Sequence, residues 1–157
     1  MNVAAIDMQH HWLPFTNNRL FHEEPQMFAR AEGVRYVTPD GEAVLDGSSG
    51  LFCCAAGHGR REIAEAVHAQ ILSLDYTPHF QRAAETSFAL ASRLARILPA
   101  GLDRVFFASS GSEAVDSAIK ICLAYHGARG EGRRTRLVSR SWGYHGVNLG
   151  GTSLAGM

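Results

Sequence analysis

Hydrophobic positions along the chain fall into stripes of helical period and short unbroken runs. Ile63, Val67, Ile71 and Leu74 recur every three or four residues, which predicts a helix over 61–74 with one apolar face. Phe88, Ala91, Leu94, Ala95 and Leu98 repeat that spacing and predict a second helix over about 83–98, stopped by Pro99-Ala100-Gly101. Between them Tyr76-Thr77-Pro78-His79-Phe80 breaks the pattern, because Pro78 drives the residue before it out of helical backbone. The unbroken apolar run Val105-Phe106-Phe107-Ala108 predicts a buried parallel strand. A helix from the serines that follow to about Tyr125, then a strand at Arg136-Leu137-Val138-Ser139, complete one βαβ unit. Upstream, Val34-Arg35-Tyr36-Val37 and Val44-Leu45 flank Pro39-Asp40-Gly41, a hairpin signal in which glycine accepts positive φ. Residues 10–30 read as irregular cover. Residues 46–60 hold Gly47, Gly50, Gly57 and Gly59 and read as a tightly turning loop.

The expected fold class is therefore α/β with a parallel sheet. Two parallel strands do not cover a sheet on both faces. The stretch Gly150–Met157 offers no closing strand or helix, so the chain reads as the front part of a larger protein.

Composition narrows the function. Lys+Arg 15 balance Asp+Glu 15, so the basic field that a sequence-independent nucleic-acid binder needs is missing. With 46% hydrophobic and 19% charged residues the chain is not expected to be disordered. At 157 residues it is expected to bury a core without disulfide or metal staples. No apolar run approaches the about 20 residues of a membrane helix. Met1–His11 lacks a basic start followed by an apolar stretch, so no secretory signal is expected and the location defaults to the cytoplasm. Cys53, Cys54 and Cys122 form no CxxC pair and read as reduced thiols. The eight histidines form no HExxH or other ligand cluster, so no metal is expected.

Three features carry candidate chemistry. Ser109-Ser110-Gly111-Ser112-Glu113-Ala114 follows one predicted strand and opens a helix. Free N–H groups and the helix dipole converge at such an end and favour a phosphate or carboxylate. Ser110 and Glu113 also have capping-box spacing, and on these six residues alone a plain helix cap at Ser110 is the readier reading. Trp142-Gly143-Tyr144-His145-Gly146 follows the other strand, and the C-terminal ends of parallel strands face the ligand crevice. An anion site beside an aromatic would suit a flat phosphorylated ligand, although Tyr144 and His145 also fit loop packing. Finally, Lys120 is the only lysine; the other 14 of the 15 basic residues are arginine.

Taken in order, these pieces resemble the class III (ω-amino acid:pyruvate, β-alanine:pyruvate-like) aminotransferases, which are fold-type I pyridoxal 5'-phosphate (PLP) enzymes. The resemblance runs from about His10 to Met157. It rests on His11-Trp12-Leu13-Pro14-Phe15-Thr16, Asp46-Gly47-Ser48-Ser49-Gly50-Leu51-Phe52 and Ala56-Gly57-His58-Gly59. It continues through Val105-Phe106-Phe107, Ser110-Gly111-Ser112-Glu113-Ala114 and Gly143-Tyr144-His145-Gly146.

The resemblance implies a role for each matching residue. Ser110, Gly111 and Ser112 match the loop that holds the cofactor phosphate. Tyr144 matches the aromatic that stacks on the pyridine ring, with His145 its usual neighbour. Leu51, Phe52 and Phe15 match apolar positions of the substrate pocket. Phe80 lies in the segment that reaches into the partner subunit's site. Phe52 stands where the family usually has Trp, and Ser109 where Asn is common. The implied division is an N-terminal segment over 1–60 and the start of the large PLP-binding domain over 61–157. The Schiff-base lysine, the aspartate facing the pyridine nitrogen and the arginine that reads the substrate carboxylate lie beyond the matching region, so no catalytic residue is assigned in this chain.

The implied partners are an amine or amino acid, a keto acid such as pyruvate, and a second subunit of a homodimer. An aminomutase or a decarboxylase of the same class, or a non-catalytic phosphate-binding or dimerising module, are the alternatives. Lys120 lies eight residues into its helix, about 12 Å along the axis from the phosphate end, and the isolated chain is expected to be inactive.

Overall fold

A computed structural model describes residues 6–156. Residues 1–5 and Met157, which the domain division and the N-terminal leader reading include, lie outside the described residues. The chain divides at Arg82–Ala83 into two compact units.

The first unit contains helix α1 (Asn18–Glu23), strands β1 (Arg30–Glu32), β2 (Arg35–Val37) and β3 (Ala43–Leu45), and helix α2 (Arg61–Ser73). The strands form an antiparallel sheet in the order β1-β2-β3. Tyr36 sits at its centre, opposite Ala31 on one side and Val44 on the other. The expected hairpin is β2–β3. Its turn closes with the Gly41 N–H donating to the Thr38 carbonyl at 3.1 Å, with Gly41 at φ 98°. Thr38 Oγ1 also accepts the Glu42 N–H at 2.9 Å and bonds the Asp40 carboxylate.

Two elements are unexpected: α1 lies within the 10–30 stretch that reads as irregular cover, and β1 starts at its last residue. Strand β1 joins β2 through the two-residue turn Gly33-Val34, with Gly33 left-handed at φ 58°. Three residues are too few for an alternation signal. Helix α1 starts where the Asn17 side chain accepts the Leu20 N–H at 3.3 Å.

The second unit contains α3 (Glu85–Ile97), α4 (Gly111–Ala128) and α5 (Leu149–Leu154). The helical periods thus locate α2 and α3, and the Ser110 capping signal locates α4, which runs past Tyr125. Helix α5 corrects the reading of the 150–157 stretch. Gly150-Gly151 gives it almost no intrinsic helix preference, so the sequence pattern conceals it.

The predicted strand pair is a second correction. Val105–Ala108 and Arg136–Ser139 are not paired strands among the described residues. A strand exists only through ladder hydrogen bonds to a neighbour, and neither segment meets one. Val138 accordingly stands 95% exposed.

The expectation of a self-sufficient core is also overturned. Among the described residues no hydrophobic side chain is buried, and Ser117 is the buried polar one. The accessible surface is 13617 Å², against about 7,700 Å² for a compact folded monomer of this length. The α2 stripe shows why: Val67 remains 52% exposed, and no other helix or strand packs on α2 or α3 among the described residues. Periodicity defines an apolar face; burial requires a partner for it.

Candidate active site

Helix α4 opens at Ser110, whose extended backbone (φ −153°, ψ 160°) lets its Oγ accept the Glu113 N–H at 3.1 Å. The Glu113 carboxylate accepts the Ser109 N–H at 2.8 Å, one residue earlier than in the usual reciprocal cap. The Ala114 N–H reaches the Ser110 carbonyl at 3.0 Å. The N–H groups of Gly111 and Ser112 donate to nothing among the described residues. A Cβ built on Gly111 would meet nothing within 4 Å, so their approach is open. Ser110 therefore acts as a cap through its oxygen, while its hydroxyl hydrogen and two backbone donors are left for an anion.

A clamp fixes the loop that carries Tyr144. The Val147 N–H donates to Ser112 Oγ at 2.9 Å, and the Gly151 N–H donates to Asp116 Oδ1 at 3.0 Å. Ser112 and Asp116 are one turn apart on α4 and share a face. Gly146 sits at φ 103°, where a Cβ would come within 2.7 Å of Ser112 Cα. A Cβ on Gly151 would lie 2.2 Å from the His145 carbonyl oxygen. Contact this close admits only glycine at both positions. Within the loop, the Gly143 N–H closes on the Arg140 carbonyl at 3.1 Å, and Trp142 is left-handed at φ 63°. Tyr144 is exposed, and His145 Nε2 is buried with no hydrogen-bond partner. The structure thus brings Ser110, Gly111 and Ser112 to the Tyr144-His145 loop.

The first unit holds Phe15, the Leu51-Phe52 pair and Phe80 on three separate segments, all four side chains exposed. Phe15, Leu51 and Phe52 have left-handed backbone, at φ 52°, 53° and 70°. Such backbone in a bulky residue is costly and concentrates at functional sites. Local polar groups hold it in place. Asn18 accepts the Leu13 N–H at 2.9 Å and donates to the Leu13 and Thr16 carbonyls at 3.0 Å, which shapes the turn around Phe15. Asp46 Oδ1 accepts from the Ser48 N–H and hydroxyl, both at 3.1 Å. The Phe52 N–H then returns to the Ser48 carbonyl at 3.0 Å.

The other Asp46 oxygen pairs with His58 Nε2 at 2.8 Å, and the two side chains are only 3% and 12% exposed. The His58 hydrogen bond lowers the Asp46 carboxyl to a pKa of about 2. Desolvation, followed by the nearby Asp46 charge, raises the Tyr36 hydroxyl. The Tyr36 ring lies between Phe28, stacked at 4.5 Å, and His58, tilted at 4.7 Å. Asn18, Asp46, His58 and Asp116 are the positions that motif reading passed over. Asp46 and His58 each stand inside a family-like motif, but no spacing rule pairs residues twelve apart in a loop.

Lys120 is exposed on α4. No helix among the described residues is long and apolar enough to cross a membrane.

The family model for aminotransferase class-III matches residues 19–157. The chain is 52% identical over 156 residues to an omega-aminotransferase of Caulobacter vibrioides, covering 99% of this chain and 36% of that protein. It is 45% identical over 162 residues to a beta-alanine--pyruvate aminotransferase of Pseudomonas aeruginosa, covering 100% of this chain and 36% of that protein. Among solved structures, an (S)-enantioselective omega-transaminase from Thermomicrobium roseum superposes with a TM-score of 0.90 at 38% identity, over 94% of this chain and 34% of that one. An omega transaminase of Pseudomonas jessenii, solved in complex with PMP, gives 0.90 at 30% identity, over 95% of this chain and 33% of that one.

The chain belongs to the class III aminotransferases. Its fold class is that of the fold-type I PLP-dependent transferases, of which it contains a part. It spans about a third of the length of the curated relatives it matches.

Proposed function

We propose that the protein containing this chain transfers an amino group from an ω-amino acid or amine to pyruvate or another keto acid, with PLP as cofactor. The observation that carries this is the α4 N-terminus: two unpaired N–H donors and a free hydroxyl hydrogen, clamped to a loop that presents an aromatic ring. Those residues fit PLP. Gly111 and Ser112 N–H and the Ser110 hydroxyl would hold the phosphate, since the open approach at Gly111 leaves room for its oxygens. The Ser112 hydroxyl accepts from Val147 and keeps its own hydrogen for the same anion. Tyr144 would cover one ring face, and His145 Nε2 is a buried group in want of a partner beside it.

When bound, PLP would supply the electron sink for loss of the proton from the substrate carbon that bears the amine. What this chain contributes is binding and orientation; it supplies no base. The Lys120 Cα lies about 12 Å along α4 from the phosphate end, too far down the helix to serve. By the family resemblance Leu51, Phe52 and Phe15 would line the substrate pocket, with Phe52 smaller than the usual Trp, and Phe80 would reach into the partner subunit's site. Residues 1–60 form an N-terminal segment and 61–157 the start of the PLP domain of a cytoplasmic homodimer. In this reading the uncovered α2 and α3 faces are completed by the rest of that protein.

The test is to supply the full-length protein with PLP, an ω-amino acid and pyruvate, and to measure alanine. Alanine well above the enzyme-free PLP background is expected. Its absence across a panel of amines and keto acids, with PLP bound, would overturn the proposal. The 157-residue chain alone should give none.

A further inference from the structure

We propose that Asp116 is a positioning residue of the cofactor site: its carboxylate holds α5, and through α5 the Tyr144 loop, against the N-terminus of α4. The inference rests on the reading of Ser110–Ser112 as the phosphate cup and of Tyr144 as the ring-stacking residue.

Helix α5 cannot stand by itself. It has six residues, two of them glycine, and isolated helices of that length do not persist in water. Its N-cap residue, Asn148, makes no side-chain cap bond. The donor that Asn148 leaves unserved, the Gly151 N–H, goes instead to Asp116 Oδ1 on α4. A carboxylate at that end also complements the dipole of the short helix.

The link from Asp116 to Tyr144 is a chain of contacts. Gly151 lies so close to the His145 carbonyl that a Cβ there would fall 2.2 Å from it. His145 is bonded directly to Tyr144. Four residues before Asp116, Ser112 takes the Val147 N–H, and Val147 lies four residues before Gly151. Two points on one α4 face therefore hold two matching points of the loop and α5. The Ser112 point lies inside the phosphate cup. The Asp116 point lies a full turn away, at about 6 Å of axial rise, so it acts on the cofactor only through the loop.

The test uses the full-length protein loaded with PLP. Cofactor retention is measured by equilibrium dialysis, and the ring environment by the visible circular dichroism of the bound cofactor. Asp116→Ala is expected to weaken retention about tenfold and to change the dichroic band. Asp116→Asn, whose amide oxygen accepts the same N–H, is expected to restore both. Wild-type retention and band in a folded Asp116→Ala protein would overturn the inference. If Asp116→Ala does not fold, Asp116→Glu decides: the extra methylene displaces α5 and should alter the band, and an unaltered band overturns the inference. Tyr144→Ala separates the two ideas. If it leaves band and retention unchanged, the ring-stacking reading fails and takes the inference with it. If it changes them while folded Asp116 variants do not, the reading stands and the positioning role falls.

Discussion

Two glycine-rich loops, one in each unit, are closed by different physics. The 46–58 loop is shut by the Asp46–His58 pair, nearly buried and backed by the Tyr36 ring. Its frame is the sheet: Asp46 follows β3, and the His58 N–H and carbonyl bridge to Gly33 at the end of β1. The 142–151 stretch is shut by two of its own backbone N–H groups, which donate to α4 side chains thirty-five residues away, and by glycines too close to their neighbours to carry a Cβ. The first loop is closed by a pair of titratable side chains, the second by backbone N–H groups on side-chain acceptors, the Asp116 carboxylate among them, and by close fit. Charge closure should therefore fail with pH, and steric closure with a methyl group.

The largest effect is expected from that methyl group. Gly146→Ala places a Cβ against the Ser112 backbone at φ 103°, where an L-residue costs on the order of 1–3 kcal/mol before any clash. In the full-length protein it should separate the Tyr144 loop from the cup and weaken PLP retention about a hundredfold or more, read by dialysis. Retention within about threefold of wild type would mean that the second loop is not closed by shape.

Next comes Ser112→Ala. It removes the acceptor for Val147 and a donor for phosphate while leaving the backbone free, so retention should fall roughly ten- to a hundredfold. A fall in ring dichroism alone would assign Ser112 to the clamp and not to the cup.

The first loop is broken by acid. Asp46 is held at a pKa of about 2 against an ordinary 3.8, so the folded state favours its charged form. That contribution is complete above about 3.8, and is lost as pH falls through about 2. Asp46→Asn should flatten the fall in stability across this window in acid-unfolding curves. It should also alter the preference among amines through Leu51 and Phe52, with PLP retention unchanged. A loss of retention equal to that of Ser112→Ala would erase the distinction between the loops.

The smallest effect is expected at Lys120. Lys120→Ala should leave retention, dichroism and stability within error, because the side chain is exposed on α4, a turn beyond Asp116, and takes part in neither loop's closing hydrogen bonds. Borohydride reduction of the PLP-loaded chain followed by peptide mapping gives the check, with label on Lys120 as the contrary result.

What was legible in the sequence follows from range. The α2 and α3 periods, the Asp40-Gly41 hairpin and the Ser110 cap that opens α4 involve residues at most a few positions apart, and local backbone preference decides them. The Ser-Gly-Ser anion-site candidate and the Tyr144-His145 pair were visible as motifs because each lies within four or five consecutive residues. The clamp was not. Asp116 and Gly151 pair across 35 positions, and a serine accepting a distant N–H looks in sequence like any helix serine. Helix α5 was hidden for the same reason: it exists by virtue of α4, against the preference of its own Gly150-Gly151. The two predicted strands failed in the opposite direction. Val105–Ala108 and Arg136–Ser139 have the apolar content of sheet strands, but a strand is a relation between two backbones and neither has its partner within the described residues. The sequence by itself determined the local elements, the candidate anion site and the family. Tertiary structure alone decided which loops close, which side chains close them and which apolar faces stay open, because each of these depends on groups that meet only after the chain has turned back on itself.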